Sequence, residues 1–147
     1  MPSSPAVYSF DWPFVYGGPG SSFQFKSQLG DFVVTEQLGF ELTGEGEHLC
    51  LWLQKEGLNT QNIAEQLSKF LTTRLLNIGF SGLKDRHAVT TQWFSIPVRI
   101  GEEFNAAGFC QLMNDKNPDE QIKIIHTKRH QKKIRRGIHT ANAFQIR

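Results

Sequence analysis

The chain has 147 residues, enough for one domain with its own core, and its 39% apolar and 20% charged residues are ordinary for a globular protein that lives in water. No stretch approaches the roughly 20 apolar residues needed to span a bilayer. The start of the chain lacks the basic-then-apolar pattern of a signal peptide. Cys50 and Cys110 are too few for a disulfide framework or a cysteine-based zinc site, so a cytoplasmic protein with reduced thiols is expected. The formal net charge of +2 conceals an asymmetry: residues 1–120 hold eight Lys/Arg against fourteen Asp/Glu, while residues 121–147 hold eight Lys/Arg and no acid. A block of that kind fits a polyanionic partner, and equally a solvated basic face.

In chain order, residues 1–21 carry four of the six prolines together with Gly17, Gly18 and Gly20, and read as an irregular arm. Ser22–Lys26 and Asp31–Gln37 read as strands, the second through Phe32, Val33 and Val34. After a polar connection over Glu41–Glu47, His48–Lys55 alternates, with Leu49, Leu51 and Leu53 on one face and Cys50 and Trp52 on the other. Asn59 is an N-cap candidate for an amphipathic helix over Thr60–Thr73, in which Ile63, Leu67, Phe70 and Leu71 recur at helical spacing. Leu75–Phe80 reads as a buried strand ended by Ser81-Gly82, and Thr91–Val98 as another strand. Glu102–Met113 is a short helix that Gly108 weakens. Gln121–His126 is a strand, Lys128–Gly137 a basic turn or short helix, and Ala143–Arg147 the start of a last strand. Many strands with few helices imply an α+β fold around a mainly antiparallel sheet. The strand pattern still open at Arg147 gives the expectation of a truncated domain.

The densest polar cluster is Gly82-Leu83-Lys84-Asp85-Arg86-His87-Ala88-Val89-Thr90, directly after a buried segment, where loops present functional groups on a rigid support. Lys84 and Arg86 flank Asp85 and favour its carboxylate form, which suits nucleophilic or base chemistry. By composition alone the same residues describe a charged turn. Neither GxxxxGK[ST] nor GxGxxG is present, and the histidines form no HExxH pattern, so nucleotide hydrolysis, dinucleotide binding and a metal site have no support. His126, His130 and His139 are assigned to the basic surface.

Three stretches carry a family resemblance. The run FSGLKDRHAVTTQWF from Phe80 to Phe94 resembles the signature of the TruD pseudouridine synthases. The segment DFVVTEQLGFELTGEGEHLCLWLQKEGLNT from Asp31 to Thr60 is similar to what precedes that signature, and RHQKKIRRGIHTANAF from Arg129 to Phe144 resembles the family's basic turn and Asn-x-Phe element. One departure stands out: the family usually has a proline before Asp-Phe, whereas Gln28-Leu29-Gly30 precede Asp31 here.

The resemblance implies an isomerase, a tRNA pseudouridine synthase acting on uridine 13 of tRNA, with Asp85 as nucleophile or base and Lys26 as its supporting cation. It further implies a substrate pocket with Phe32, Asn142 and Phe144, where Phe144 stacks on the uracil. Lys84, Arg86, His87, Arg129, Lys132, Lys133, Arg135 and Arg136 make up the expected RNA-contacting set. No metal or organic cofactor is expected, nor any membrane contact, and the complete enzyme is expected to be a monomer. Residues 22–147 would form the N-terminal part of the catalytic domain, lacking an inserted domain and the C-terminal part, so that the isolated chain is expected to be inactive. The alternatives are a non-catalytic RNA-binding module using residues 123–136, or a module that meets an acidic protein partner. Neither needs a carboxylate flanked by cations.

Overall fold

The computed structural model describes residues 13–18, 20, 21, 24 and 26–147. Most of the expected arm, and Ser22, Phe23 and Phe25 of the first expected strand, lie outside these. Six strands build one sheet: β1 (Phe32–Gln37), β2 (His48–Glu56), β3 (Gly79–Phe80), β4 (Val89–Pro97), β5 (Gln121–His130) and β6 (Ala141–Ile146). Their order is β5-β2-β4-β1-β6, with β3 also paired to β4. Every pairing is antiparallel except β1 with β4, which is parallel and therefore needs the crossover through β2 and helix α1 (Thr60–Phe70). The expected α+β fold with a mainly antiparallel sheet is the one observed.

Strand β4 organises the sheet. β2 pairs with it from Val89 to Pro97, whereas its other edge is shared, with β1 at Val89–Thr91 and β3 at Phe94–Ser95. Alternation sends Leu51, Leu53, Phe94 and Ile96 to one face, where Ile63, Ala64 and Leu67 of α1 and Phe109 and Met113 of α2 (Ala106–Asn114) cover them. Cys50 points the other way, into a smaller cluster with Leu38, Leu42 and Ile134. Neither cysteine is in a disulfide. Among the described residues no helix is long and apolar enough to cross a membrane.

Several elements depart from the sequence expectations. Asn59 occupies the N-cap of α1, but its side chain makes no capping hydrogen bond. The helix ends at Phe70 instead of Thr73, because Thr72 turns left-handed (φ 50°) and the Thr73 N–H bonds back to the Ser68 carbonyl at 2.9 Å. Leu75–Phe80 is a strand only at Gly79–Phe80. Leu75–Asn77 is a 3-10 turn, closed by the Asn77 amide donating to Thr73 Oγ1 at 2.9 Å. α2 begins at Ala106, where the Asn105 side chain accepts the Gly108 N–H at 2.9 Å. Gly108 thus assists the helix it was expected to weaken, since a methyl group there would run into the Asn105 side chain. β5 continues through His130, so the first three residues of the expected basic turn, Lys128–His130, are strand paired along β2, with a bulge between Trp52 and Leu53.

Gly79 marks the closest backbone approach. A Cβ at this position would collide with the Ile134 carbonyl and the Ser95 hydroxyl, and that hydroxyl itself accepts the Ile134 N–H at 2.9 Å. Gly79→Ala should therefore destabilise the fold by about 1–3 kcal/mol, as overpacking against backbone does, read as a lower midpoint in urea unfolding.

Candidate active site

The loop Ser81–Ala88 joins β3 to β4 and is tied down residue by residue. Glu36 of β1, wholly buried, accepts the Ser81 hydroxyl and the Lys84 ammonium (2.9 Å) on one carboxylate oxygen and the Trp93 N–H (3.1 Å) on the other. Gln92 of β4 donates to the Gly82 carbonyl at 3.0 Å and accepts the Thr60 hydroxyl at 2.9 Å. That hydroxyl in turn accepts the Lys84 N–H at 3.0 Å. The Asp85 carbonyl accepts the Lys55 ammonium from β2 at 2.7 Å. Arg86 donates to the Gly57 carbonyl at 2.9 Å and pairs with Glu120 at 3.1 Å. The loop is charged and external, yet its main chain is held like a core element.

What this scaffold leaves open is the Asp85 carboxylate, whose side chain is 56% exposed. Lys26 meets it at 2.8 Å. The ammonium also lies 4.0 Å from the centre of the Phe32 ring, in cation–π contact. Phe32 stacks on Phe144 of β6 (centroids 5.9 Å apart, 27° between planes). Lys26 has a left-handed backbone (φ 56°), and its carbonyl lies 3.0 Å from His87 Nε2. The departure from the family pattern before Asp31 forms a 3-10 turn, Leu29–Asp31, closed by the Asp31 carboxylate accepting the Gln28 N–H at 2.9 Å. A cavity of about 350 Å³ opens beside Asp85, lined in part by Asn59, Gln61 and Leu83.

Four of the sequence-derived residues thus form one continuous array, Asp85–Lys26–Phe32–Phe144. Asn142 lies on the same sheet face, cross-strand from Glu36 and two residues before Phe144, and its buried amide oxygen meets no hydrogen-bond partner among the described residues. Phe144 is 60% exposed, a platform and not a core aromatic. The cations divide differently from the expectation. Lys84 is buried because the carboxylate of Glu36 needs a counter-charge, so it does not face outward with Arg86 and His87. Arg129 is likewise engaged internally, donating to the carbonyls of Val98, Arg99 and Glu102. Lys133 donates to the Leu76 carbonyl at 2.6 Å, and Arg136 lies over the Phe80 ring. Lys132, Arg135 and Arg136 remain exposed. Of the histidines, His126 packs against Trp52 and Trp93, and His130 Nδ1 accepts the Thr43 N–H at 3.2 Å.

With that geometry described, comparison with known proteins is decisive. The family model for tRNA pseudouridine synthase D (TruD) matches residues 13–147. The chain belongs to the TruD family. It is 40% identical over 141 residues to the tRNA pseudouridine synthase D of Cellvibrio japonicus, covering 96% of this chain and 40% of that protein. To the counterpart from Psychrobacter arcticus it is 44% identical over 122 residues, 83% of this chain and 30% of that one. The crystal structure of a TruD-type protein from Methanosarcina mazei superposes with a TM-score of 0.63 at 27% identity, over 82% of this chain and 25% of that chain. The chain therefore spans well under half the length of these TruD relatives.

Sequence reasoning missed the buried polar residues beneath the loop, Glu36, Lys55, Thr60 and Gln92. The signal was present in the alternation. Phe32-x-Val34-x-Glu36 and Leu51-x-Leu53-x-Lys55 each end an inward-facing apolar series on a charge. Among the described residues no group of three or more His, Cys, Asp or Glu side chains is arranged to hold a metal.

Removing Glu36 leaves Lys84 as an uncompensated buried cation. Glu36→Ala should cost about 3–5 kcal/mol, whereas Glu36→Leu combined with Lys84→Met should recover most of that loss. Urea denaturation of the single and double variants reads this directly. Hydrogen exchange should show faster opening of residues 81–88 in the single variant.

Proposed function

We propose that this chain carries the catalytic carboxylate of a tRNA pseudouridine synthase, with Asp85 as the reacting group. The supporting observation is the array in which an outward-facing Asp85 carboxylate is paired to Lys26 at 2.8 Å, beside the Phe32–Phe144 stack. A cation at contact distance orients a carboxylate, and an exposed aromatic next to it offers a face for an extruded base.

The reaction breaks the C1′–N1 bond of a uridine, turns the uracil and forms a C1′–C5 bond, with the C5 proton lost and N1 taking up a proton in its place. The target base first leaves its stack, at a cost of a few kcal/mol that stacking on Phe144 and phosphate contacts offset in part. Asp85 then either attacks C1′ or withdraws the C2′ proton. Lys26 pairs with the carboxylate and fixes its direction, while Asn142 supplies amide groups of the kind that read a uracil edge. Uridine 13 of tRNA is the proposed target, cytoplasm the proposed compartment and a monomer the proposed state, with no cofactor in the chemistry. Residues 22–147 are proposed as the first part of the catalytic domain. On this reading Arg86, His87, Lys132, Arg135 and Arg136 face the RNA backbone. A purely RNA-binding module would need no outward-facing carboxylate paired with a cation.

Two measurements test the proposal on the protein as it occurs in the cell, with unmodified tRNA. Asp85→Asn should lower pseudouridine formation by roughly 10²–10⁴-fold or more while tRNA affinity stays within about twofold. Turnover at the wild-type rate would refute the role of Asp85. Replacing Lys132, Arg135 and Arg136 together by Ala should reduce the slope of log affinity against log salt by up to about 0.9 for each phosphate these side chains neutralise. An unchanged slope would put this face away from the RNA.

A further inference from the structure

Lys55 is wholly buried, and the proposed reaction gives it no task. It continues the inward series Leu51–Leu53 on β2, at a position where a leucine or methionine would serve packing alone. Its ammonium lies beneath the loop 81–88, and among the described residues the Asp85 carbonyl, at 2.7 Å, is the one acceptor it meets. A buried ammonium with a single neutral acceptor is unfavourable for folding, so its presence beneath this loop calls for a role.

We infer that Lys55 is a positioning residue for Asp85: its buried ammonium fixes the main chain of that residue from below while Lys26 takes the carboxylate from outside. The inference rests on the reading of Asp85 as the reacting group. The two lysines act on different atoms of one residue, and only Lys26 is partly open to solvent. The charge of Lys55 sits where solvent screens little, so its field on Asp85 adds to that of Lys26 and is weakened less by salt.

Burial pushes the Lys55 ammonium down to about 8, with the charge of Asp85 opposing the fall and that of Lys84 adding to it. These are the charged groups that face it. Lys84 is itself paired with Glu36 of β1, and Lys26 reaches Asp85 from the far side. The cross-strand neighbours, Thr90 of β4 and Ile122 of β5, carry no charge, and the buried Thr90 hydroxyl meets no hydrogen-bond partner among the described residues. Below about pH 8 Lys55 is charged and the anchor is complete; above it the ammonium deprotonates and activity falls. Stability moves the other way. The unfolded chain, with the ordinary lysine value of 10.5, holds this proton more tightly, so the burden on folding is present at neutral pH and relieved as pH rises from about 8 through 10.5. A residue with only a structural role would move activity and stability together.

The test uses Lys55→Met in the protein as it occurs in the cell, with tRNA carrying tritium at uracil C5 so that tritium release reports turnover. The expected result is a kcat at neutral pH lower by about tenfold or more, a KM for tRNA within about twofold, an equal or higher Tm, and loss of the alkaline fall in kcat. Wild-type kcat in the folded variant, or an alkaline fall that survives in it, overturns the inference. If the variant does not fold, the wild-type protein carries the test through the NMR titration of the Lys55 side chain. A midpoint that coincides with the alkaline fall in kcat supports the role, and a kcat that stays flat through that titration overturns it. Asp85→Asn separates the two levels. Turnover in that variant removes the reading of the site itself, whereas a dead Asp85→Asn beside a Lys55→Met of wild-type kcat and pH profile removes only the role of Lys55.

Discussion

The Glu36 side chain is closed off from bulk solvent, and the arrangement of everything above it follows from how its carboxylate is met. Two side chains and one main-chain N–H converge on its carboxylate, and each belongs to a different part of the fold: Ser81 to the exit of β3, Lys84 to the loop, Trp93 to β4. An ionised group in the interior is tolerated only when it is paired and hydrogen-bonded. Satisfying Glu36 therefore specifies where the loop leaves the sheet and which way Lys84 points. Asp85, the next residue, is turned outward as a result.

The two acids nearest the site are consequently unlike in every respect. Glu36 accepts from three donors inside the protein and is buried out of a ligand's reach. Asp85 keeps a carboxylate facing solvent and surrenders only its carbonyl to the interior. The flanking cations divide in the same way, Lys84 inward and Arg86 outward, although sequence presents them as a symmetric pair around Asp85. In a loop, neighbours in sequence face opposite ways as readily as in a strand. Composition around Asp85 thus says little about which charges act on it.

This explains what was legible in the sequence and what was not. β-branched and aromatic alternation located β1, β2 and β4 to within a residue or two, because those strands bury one continuous face. Leu75 and Leu76 misled because apolarity was read as burial, while the local Asn77–Thr73 bond and the close approach at Gly79 decide that segment. The length of β5 was hidden for the opposite reason: Lys128 and Arg129 look like turn residues, and only pairing with β2 makes them strand. Asp85, Lys26, Phe32 and Phe144 were reached through motif likeness, and no local pattern links residues this far apart in the chain. The buried partners Glu36 and Lys55 were legible in principle, as charges that end an apolar alternation.

The divided edge of β4 carries a consequence for how this protein can vary. Strand register is a two-position code, and a slip of one residue would carry Thr90, Gln92 and Phe94 to the opposite face. β1, β2 and β3 all take their alignment from β4, and Glu36, Lys55 and Ser81 stand on or directly after those three strands. The spacing of the site is thus inherited from the sheet and has no adjustment of its own. A change in chain length displaces no member of the site in the connections around α2, whereas one added residue between Ser81 and Val89 would uncouple Asp85 from both of its lysines.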